Sequence, residues 1–292
     1  MKPILISVKH DDTLLNYLLN ANLDYSRTKI KSLLKHQCIL VNDTVVSQFD
    51  EPIAKGETIK IVQHNDQLDL PFPLLYEDRN IIVIDKPYGL LTISTEKKEP
   101  NTAFRAVSQY VKKKDPRNKI YVIHRLDKNT SGVVMFAKSE AVQKAYQENW
   151  NDRVKERMYV AIVEGHLDQD TGTVESFLKE NKTTHMYSSN SGQHAITHYR
   201  TIRKGKDFTV LAVHIDTGRK NQIRVHMQDL KTPILGDRKY DATRNPLNRM
   251  ALHAYRLKIE NPFTHKMNTY VAPIPRQFTR YARITESQIK SI

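Results

Sequence analysis

The spacing of apolar positions changes several times along this chain, and each change marks an element. Near the start, Leu14, Leu15, Leu18 and Leu19 recur at helical spacing behind Asp12-Thr13, which can cap a helix. Ser26 is placed to cap a second helix with Ile30, Leu33 and Leu34 on one face. Arg27, Lys29, Lys31 and Lys35 fall on its other faces. The period then shortens to two. Residues 38–41 predict a strand, Asn42-Asp43 a turn and 44–46 a second strand; Gly56 precedes a third, in which Ile59 and Ile61 alternate with polar residues. Two helices followed by a small sheet make one compact module.

Residues 64–74 interrupt the pattern with polar residues and then two prolines, Pro71 and Pro73, which forbid a continuous helix. The boundaries expected are a module at 1–66, a linker at 67–74 and a larger domain at 75–292. That domain opens with a fully apolar strand, Ile81-Ile82-Val83-Ile84, ended by Asp85-Lys86-Pro87 and a turn at Tyr88-Gly89. Further apolar runs predict strands at 121–123, 133–137, 159–163, 209–215, 223–227, 251–259 and 269–272. Helices are predicted at 102–113 and 140–150. Strands this numerous, without βαβ alternation, predict an α+β domain with one large sheet.

Composition narrows the function. The chain has 292 residues, 39% hydrophobic and 27% charged, with a net charge of +14. That excess calls for a polyanionic partner, and the absence of a basic amphipathic helix with exposed aromatics favours nucleic acid over a membrane surface. The charge is uneven. Residues 1–66 are neutral overall, yet the stretch 25–42 holds Arg27, Lys29, Lys31 and Lys35 and no acid. Cys38 is the only cysteine, which rules out an internal disulfide and Cys-rich metal centres and fits a reducing cytoplasm. The first apolar run is too short for a signal peptide, and nothing approaches a membrane span. No obligate partner chain is suggested, so a monomer is expected.

Candidate chemistry concentrates in His124-Arg125-Leu126-Asp127-Lys128-Asn129-Thr130-Ser131-Gly132. A carboxylate and an arginine stand between two apolar runs, with Thr130-Ser131-Gly132 as the expected turn. Taken alone, Arg125 and Asp127 read more simply as a salt bridge. His194 and His198 are four apart, but their β-like surroundings and the lack of a third ligand argue against a metal. His226 and His253 lie in apolar runs read as strands, where satisfied core histidines are expected.

Two resemblances alter this reading. Ser26-Arg27-Thr28, Ile30, Val41-Asn42-Asp43, Val45-Val46 and Lys55-Gly56-Glu57 resemble the S4 RNA-binding domain, with Asp43 where that family usually has glycine. This implies that the second helix lays Arg27, Lys29, Lys31 and Lys35 on an RNA backbone. Residues 75–275 resemble the RluA family of RNA pseudouridine synthases, in six ordered blocks. They are Tyr76 to Leu90, His124 to Lys138, Tyr159 to Gly165, Thr217 to His226, Pro233 to Tyr240 and Leu252 to Ala254. One departure is Asn221, where the family usually has histidine; altered RNA contacts rather than lost catalysis are expected from it.

The resemblance implies a pseudouridine synthase fold, a large mixed and mostly antiparallel sheet with flanking helices. It implies conversion of a uridine within RNA to pseudouridine, with no cofactor and no metal. The N-glycosidic bond breaks, the uracil turns while bound, and C5 joins the ribose. Asp127 matches the catalytic aspartate, acting as nucleophile or as base at the ribose 2′ carbon. Arg224 matches its basic partner, and Tyr159 the residue that stacks on uracil and serves the late proton removal at C5. Arg125 is expected to fill the place of the flipped base. Arg219 and Lys220 are expected at phosphate, and residues 182–191 as a mobile loop closing over RNA. The S4-like module favours large-subunit ribosomal RNA over tRNA. A non-catalytic RNA-binding or ribosome-assembly factor would suit the charge equally, but has no use for Asp127, Tyr159 and Arg224 together. Glycoside hydrolysis would need a second carboxylate about 5–10 Å from Asp127, and none is evident.

Overall fold

A computed structural model describes the chain except residues 1–2, 22, 24, 36–37, 43, 47, 63–69, 95–100 and 291–292. Asp43 of the expected turn and most of the polar half of the expected linker lie outside the described residues. The chain divides into two compact units, Met1–Phe72 and Pro73–Ile292.

In the first unit the order is β1 (Ile4–Ser7), β2 (Asp12–Thr13), α1 (Leu14–Asn20), α2 (Arg27–Lys35), β3 (Ile39–Val41), β4 (Thr44–Val45), β5 (Pro52–Ile53) and β6 (Thr58–Ile61). Four strands form an antiparallel sheet, β1-β6-β3-β4, and β2 pairs with β5. Leu14, Leu15 and Leu18 pack with Ile30, Leu33 and Leu34 over Ile39, Val41, Ile59 and Ile61. Leu19, assigned to the same face, is exposed. Ser26 Oγ accepts from Lys29 N, as a cap should. Thr13 does not cap with its side chain. Carbonyls of Glu51 and Phe49 take the first N–H groups of α1 instead, because the β2-β5 pairing already brings that backbone to the helix end.

The second unit contains β7 (Leu74–Glu77), β8 (Ile81–Lys86), α3 (Ala103–Lys114), β9 (Tyr121–Val122), β10 (Ser131–Ala137), α4 (Glu140–Gln147), α5 (Trp150–Arg153), β11 (Val154–Glu164), β12 (Thr171–Glu180), β13 (Met186–Ser189), β14 (Gln193–Lys204), β15 (Phe208–Ile215), α6 (Gln222–Asp229), β16 (Leu252–Glu260), β17 (Met267–Val271), α7 (Arg276–Ala282) and α8 (Glu286–Lys290). Its sheet runs β13-β12-β14-β15-β11-β16-β10-β8-β7, with β17 on β16 and β9 on β10. Every pairing is antiparallel except β10 with β16. This is the expected α+β class.

The run at 223–227 is not a strand. It lies in α6, whose residues Gln222 to Met227 are all buried. Ile223, Val225 and Met227 do alternate with Arg224 and His226, which imitates a strand. The polar set is buried as well, because each member finds partners. His226 bonds Thr197 Oγ1 through Nδ1 and Ser176 Oγ through Nε2, so its satisfied-core reading stands on a helix. Residues 182–191 are not simply a loop. They include β13, paired to β12, with Met186 buried beside Val225 and Tyr240.

Candidate active site

The Asp127 loop is fixed from behind before it presents anything in front. Its turn spans Asp127 to Thr130, closed by Thr130 N to Asp127 O at 3.1 Å, and Ser131-Gly132 already belong to β10 rather than to the turn. Thr92 Oγ1 donates to Leu126 O (2.8 Å) and accepts from Leu126 N (3.0 Å), clamping the residue before Asp127. The buried Lys86 Nζ donates to Pro87 O, Leu90 O and Lys128 O, at 3.1, 2.7 and 3.3 Å. His124 Nε2 accepts from Met135 N at 3.1 Å, and its ring lies 5.2 Å from that of Trp150. Burial, aided by Arg157, pushes His124 down to about 4, so it is neutral as this bond requires.

In front of the loop is a cavity of about 280 Å³, near the lower end of small-ligand pockets and large enough for one nucleobase. Leu126, Ile215, Ile223 and Leu252 give it apolar walls. Arg125, Asp127, Arg157, Tyr159, Arg219 and Arg224 supply its polar groups. Asp127 reaches it from the loop, Tyr159 from β11 and Arg224 from α6, so the structure brings together the three residues expected to work as one site.

Arg224 is not simply the partner of Asp127. Its Nε and Nη2 donate to Asp237 Oδ2 and Oδ1 at 2.6 and 2.7 Å, and Nη1 donates to Asn221 Oδ1 at 2.9 Å. Nη1 stands 3.8 Å from Asp127 Oδ2, an ion pair without a hydrogen bond. Among the described residues, Asp127 forms no side-chain hydrogen bond. Its side chain is 35% exposed, against 9% for Arg224 and 2% for Asp237. Burial pushes the Asp127 carboxyl up; Arg224, Arg125 and Lys86 pull it back, and Asp237 pushes the same way as burial. Burial also raises the Tyr159 phenol to about 12, so at neutral pH it is a protonated ring that can stack and donate.

The remaining candidates divide. Arg125 is exposed and forms no ion pair among the described residues, so it is not locked to Asp127. Arg219 is exposed, with Nε on His194 O at 2.9 Å; Lys220 is tied to Glu180. His194 pairs with Glu175 and His198 with Asp216. Arg27, Lys29 and Lys31 are exposed on α2, in the other unit; Lys31 Nζ lies 5.5 Å from the Phe49 ring centre. The Lys35 side chain lies outside the described residues.

Four contributors were missed. Asp237 and Lys86 stood inside matching blocks without a role, and only tertiary structure pairs either with the site. Trp150 begins a short helix. Arg157 carried a usable signal, since it stands two residues before Tyr159 on the same strand face. Its Nη2 donates to Asp216 O, and a Cβ at Gly218 would fall 2.8 Å from its Nη1.

A sheet of this order, with an aspartate loop leading into β10 and an arginine helix lining the same cavity, defines an enzyme class that relatives identify. The RNA pseudouridylate synthase family matches residues 80–229, and the chain belongs to that family; it is an RNA pseudouridine synthase, an isomerase. It is 30% identical to the ribosomal large subunit pseudouridine synthase D of Escherichia coli K12, over 91% of this chain and 88% of that one. It is 29% identical to the uncharacterized RNA pseudouridine synthase YhcT of Bacillus subtilis, over 96% of both. The solved structure of human RNA pseudouridylate synthase domain containing 4 shares the fold, with a TM-score of 0.61 at 24% identity, over 73% of this chain and 93% of that one. No helix among the described residues is long and apolar enough to cross a membrane.

Proposed function

We propose that this enzyme converts uridine in large-subunit ribosomal RNA to pseudouridine, in the cytoplasm and as a monomer, with Asp127 attacking the flipped nucleotide. The observation that carries this is a carboxylate at the cavity with neither oxygen hydrogen-bonded among the described residues, facing a cation that is held 3.8 Å away. Arg224 favours the ionised carboxylate through its charge, while the missing hydrogen bond leaves the oxygens for the nucleotide. Tyr159 stacks on the uracil while the base turns, and its hydroxyl, protonated at rest, serves the proton removal at C5 only by passing its own proton on as it takes the one from carbon. Arg125, exposed beside Asp127, fills the gap that the flipped base leaves in the RNA. Net, one C–N bond is exchanged for one C–C bond, the proton lost at C5 is balanced by one gained at N1, and no co-reactant is consumed.

The ribosomal substrate is supported by the names of the curated relatives and by the first unit. There, the exposed basic side chains of α2 suit an S4-like RNA-binding surface. A hydrolase reading is disfavoured because Asp237, the acid whose charge acts on Asp127, has both oxygens engaged by Arg224. Tritium release from RNA labelled at uridine C5 tests the chemistry. Wild type releases label, and Asp127→Asn loses at least about 10³-fold, the scale of removing a residue that touches the reacting atoms. Equal release by the variant would overturn the role of Asp127. Mapping pseudouridine in total RNA with and without the protein tests the substrate; loss from tRNA alone would move the target there.

A further inference from the structure

Asn221 occupies a position where a side chain must tolerate left-handed backbone. Its φ is 55° and ψ 18°, a region asparagine enters more readily than most residues. It precedes α6 but does not cap it with its side chain. It is 7% exposed and lies in the wall of the cavity that holds Asp127, where its side-chain amide is engaged by protein groups.

What it does inside is fixed by hydrogen-bond chemistry. Arg224 Nη1 can only donate, so the Asn221 atom 2.9 Å away must be Oδ1. Nδ2 then faces Tyr240 and donates to its hydroxyl at 2.9 Å. The Tyr240 oxygen also accepts from Met186 N at 3.3 Å, and the Tyr240 ring lies 4.6 Å from the Arg224 guanidinium carbon. The amide is therefore braced at one end and holds the arginine at the other. Asp237 fixes the far edge of the guanidinium, while Asn221 occupies a proton of the one nitrogen that faces Asp127.

We propose that Asn221 is a positioning residue, braced by Tyr240, which restrains Arg224 Nη1 and so preserves the open gap to Asp127. The proposal rests on the catalytic role assigned to Asp127. Without Asn221, Nη1 has two protons to place, and Asp127 Oδ2 at 3.8 Å is the acceptor available. Closing the gap by about 1 Å would make a charge-assisted hydrogen bond. The carboxylate would become more acidic and less available to the nucleotide. The charged and titratable groups facing Asp127 are Lys86 from β8, Arg125 from its own loop, Tyr159 from β11, Arg224 from α6, and Asp237 and Lys239 beyond α6. Among these, Arg224 is the one that Asn221 touches.

The test is the pH dependence of kcat for tritium release, with KM measured alongside. Asn221→Ala is expected to lower kcat about tenfold, the scale of one hydrogen bond to a charged group. KM should stay unchanged and the acid limb should move to lower pH. Tyr240→Phe, which removes the brace and leaves Asn221, should give a smaller change of the same sign. Asn221→His restores an acceptor at a backbone conformation histidine tolerates, and should recover most of the rate. A raised KM with unchanged kcat would make Asn221 an RNA contact and overturn the proposal. So would an unmoved acid limb, or an acid limb moved upward. Should Asn221→Ala not fold, the acid limb of Tyr240→Phe decides the matter by the same direction of shift. If Asp127→Asn is inactive while these variants match wild type, the positioning role alone fails; if Asp127→Asn is active, the reading beneath it fails.

Discussion

The two sides of the Asp127 loop are built to different tolerances. Behind it, contacts are short, buried and mutually satisfying. Arg249 Nη2 donates to Ser131 Oγ at 2.6 Å; Ala272 O can only accept, so the neutral His253 donates to it through Nε2 at 3.3 Å, and its unprotonated Nδ1 accepts from the Ser131 hydroxyl at 2.9 Å. The Arg249 guanidinium also lies between Tyr88 and Phe278, 4.8 and 5.0 Å from their ring centres. In front, the cavity keeps Asp127 unbonded and Arg224 at arm's length. Rigidity behind is what makes slack in front useful: a carboxylate that no hydrogen bond holds is reproducibly placed only when its backbone cannot move.

The strongest way to break this contrast is from behind. Gly132, the second residue of β10, has φ 118° and lies directly against β16, and a Cβ there would sit 2.1 Å from Ala254 O. Backbone against backbone leaves nothing flexible to give way. Gly132→Ala should cost more than about 4 kcal/mol, enough to lose the fold, read as loss of soluble protein or of a cooperative melt. A variant that melts like wild type would show that β10 and β16 can separate without harm. Asp237→Asn attacks the front instead. It removes the charge that anchors Arg224 and frees the guanidinium toward Asp127. kcat should fall about 10²-fold, the scale of misplacing a group at the reacting centre by about 1 Å, and the melting temperature should drop as well, because a buried ion pair is broken. An unchanged kcat would mean that Arg224 needs no anchor.

The contrast also explains what could be read from the sequence. The rigid side was legible as pattern, because residues 81–84 and 133–137 are uninterrupted apolar runs and pair in register as β8 and β10. Asp127, Tyr159 and Arg224 were legible through their blocks. The anchoring of Arg224 was not. Asp237 lies thirteen residues away in sequence, and nothing in spacing says that it binds Arg224 with both oxygens. The same burial of polar groups misled the reading of α6, since alternation implies a strand only if the polar set faces water. For Asn221, which stands where the related family usually has histidine, another hydrogen-bond donor, the expectation is altered RNA contacts. In the structure its amide meets Arg224 and Tyr240, a pairing that spacing does not reveal.

The smallest effect separates the two sides by pH. Behind the loop, His253 is pushed down to about 3, by burial and then by Arg249, and His124 is held near 4. An unfolded histidine titrates near 6.5. Above that pH both states are neutral and the full stability is present. As pH falls from about 6.5 towards 4, the unfolded chain takes up protons that the folded chain refuses, so stability declines. The limit is about 1.4 kcal/mol per pH unit for each histidine, and the decline from these two groups ends below the folded values. Asp127 should respond differently, because its protonation would remove the carboxylate proposed to attack the nucleotide without touching the packing behind it. Melting temperature and kcat, measured over the same pH range, should therefore follow separate curves. His124→Asn, whose side-chain oxygen can still accept from Met135 N, should flatten the melting curve and leave the acid limb of kcat in place. If both curves moved together, the loop would be one coupled unit, and the distinction between a rigid back and an open front would fail.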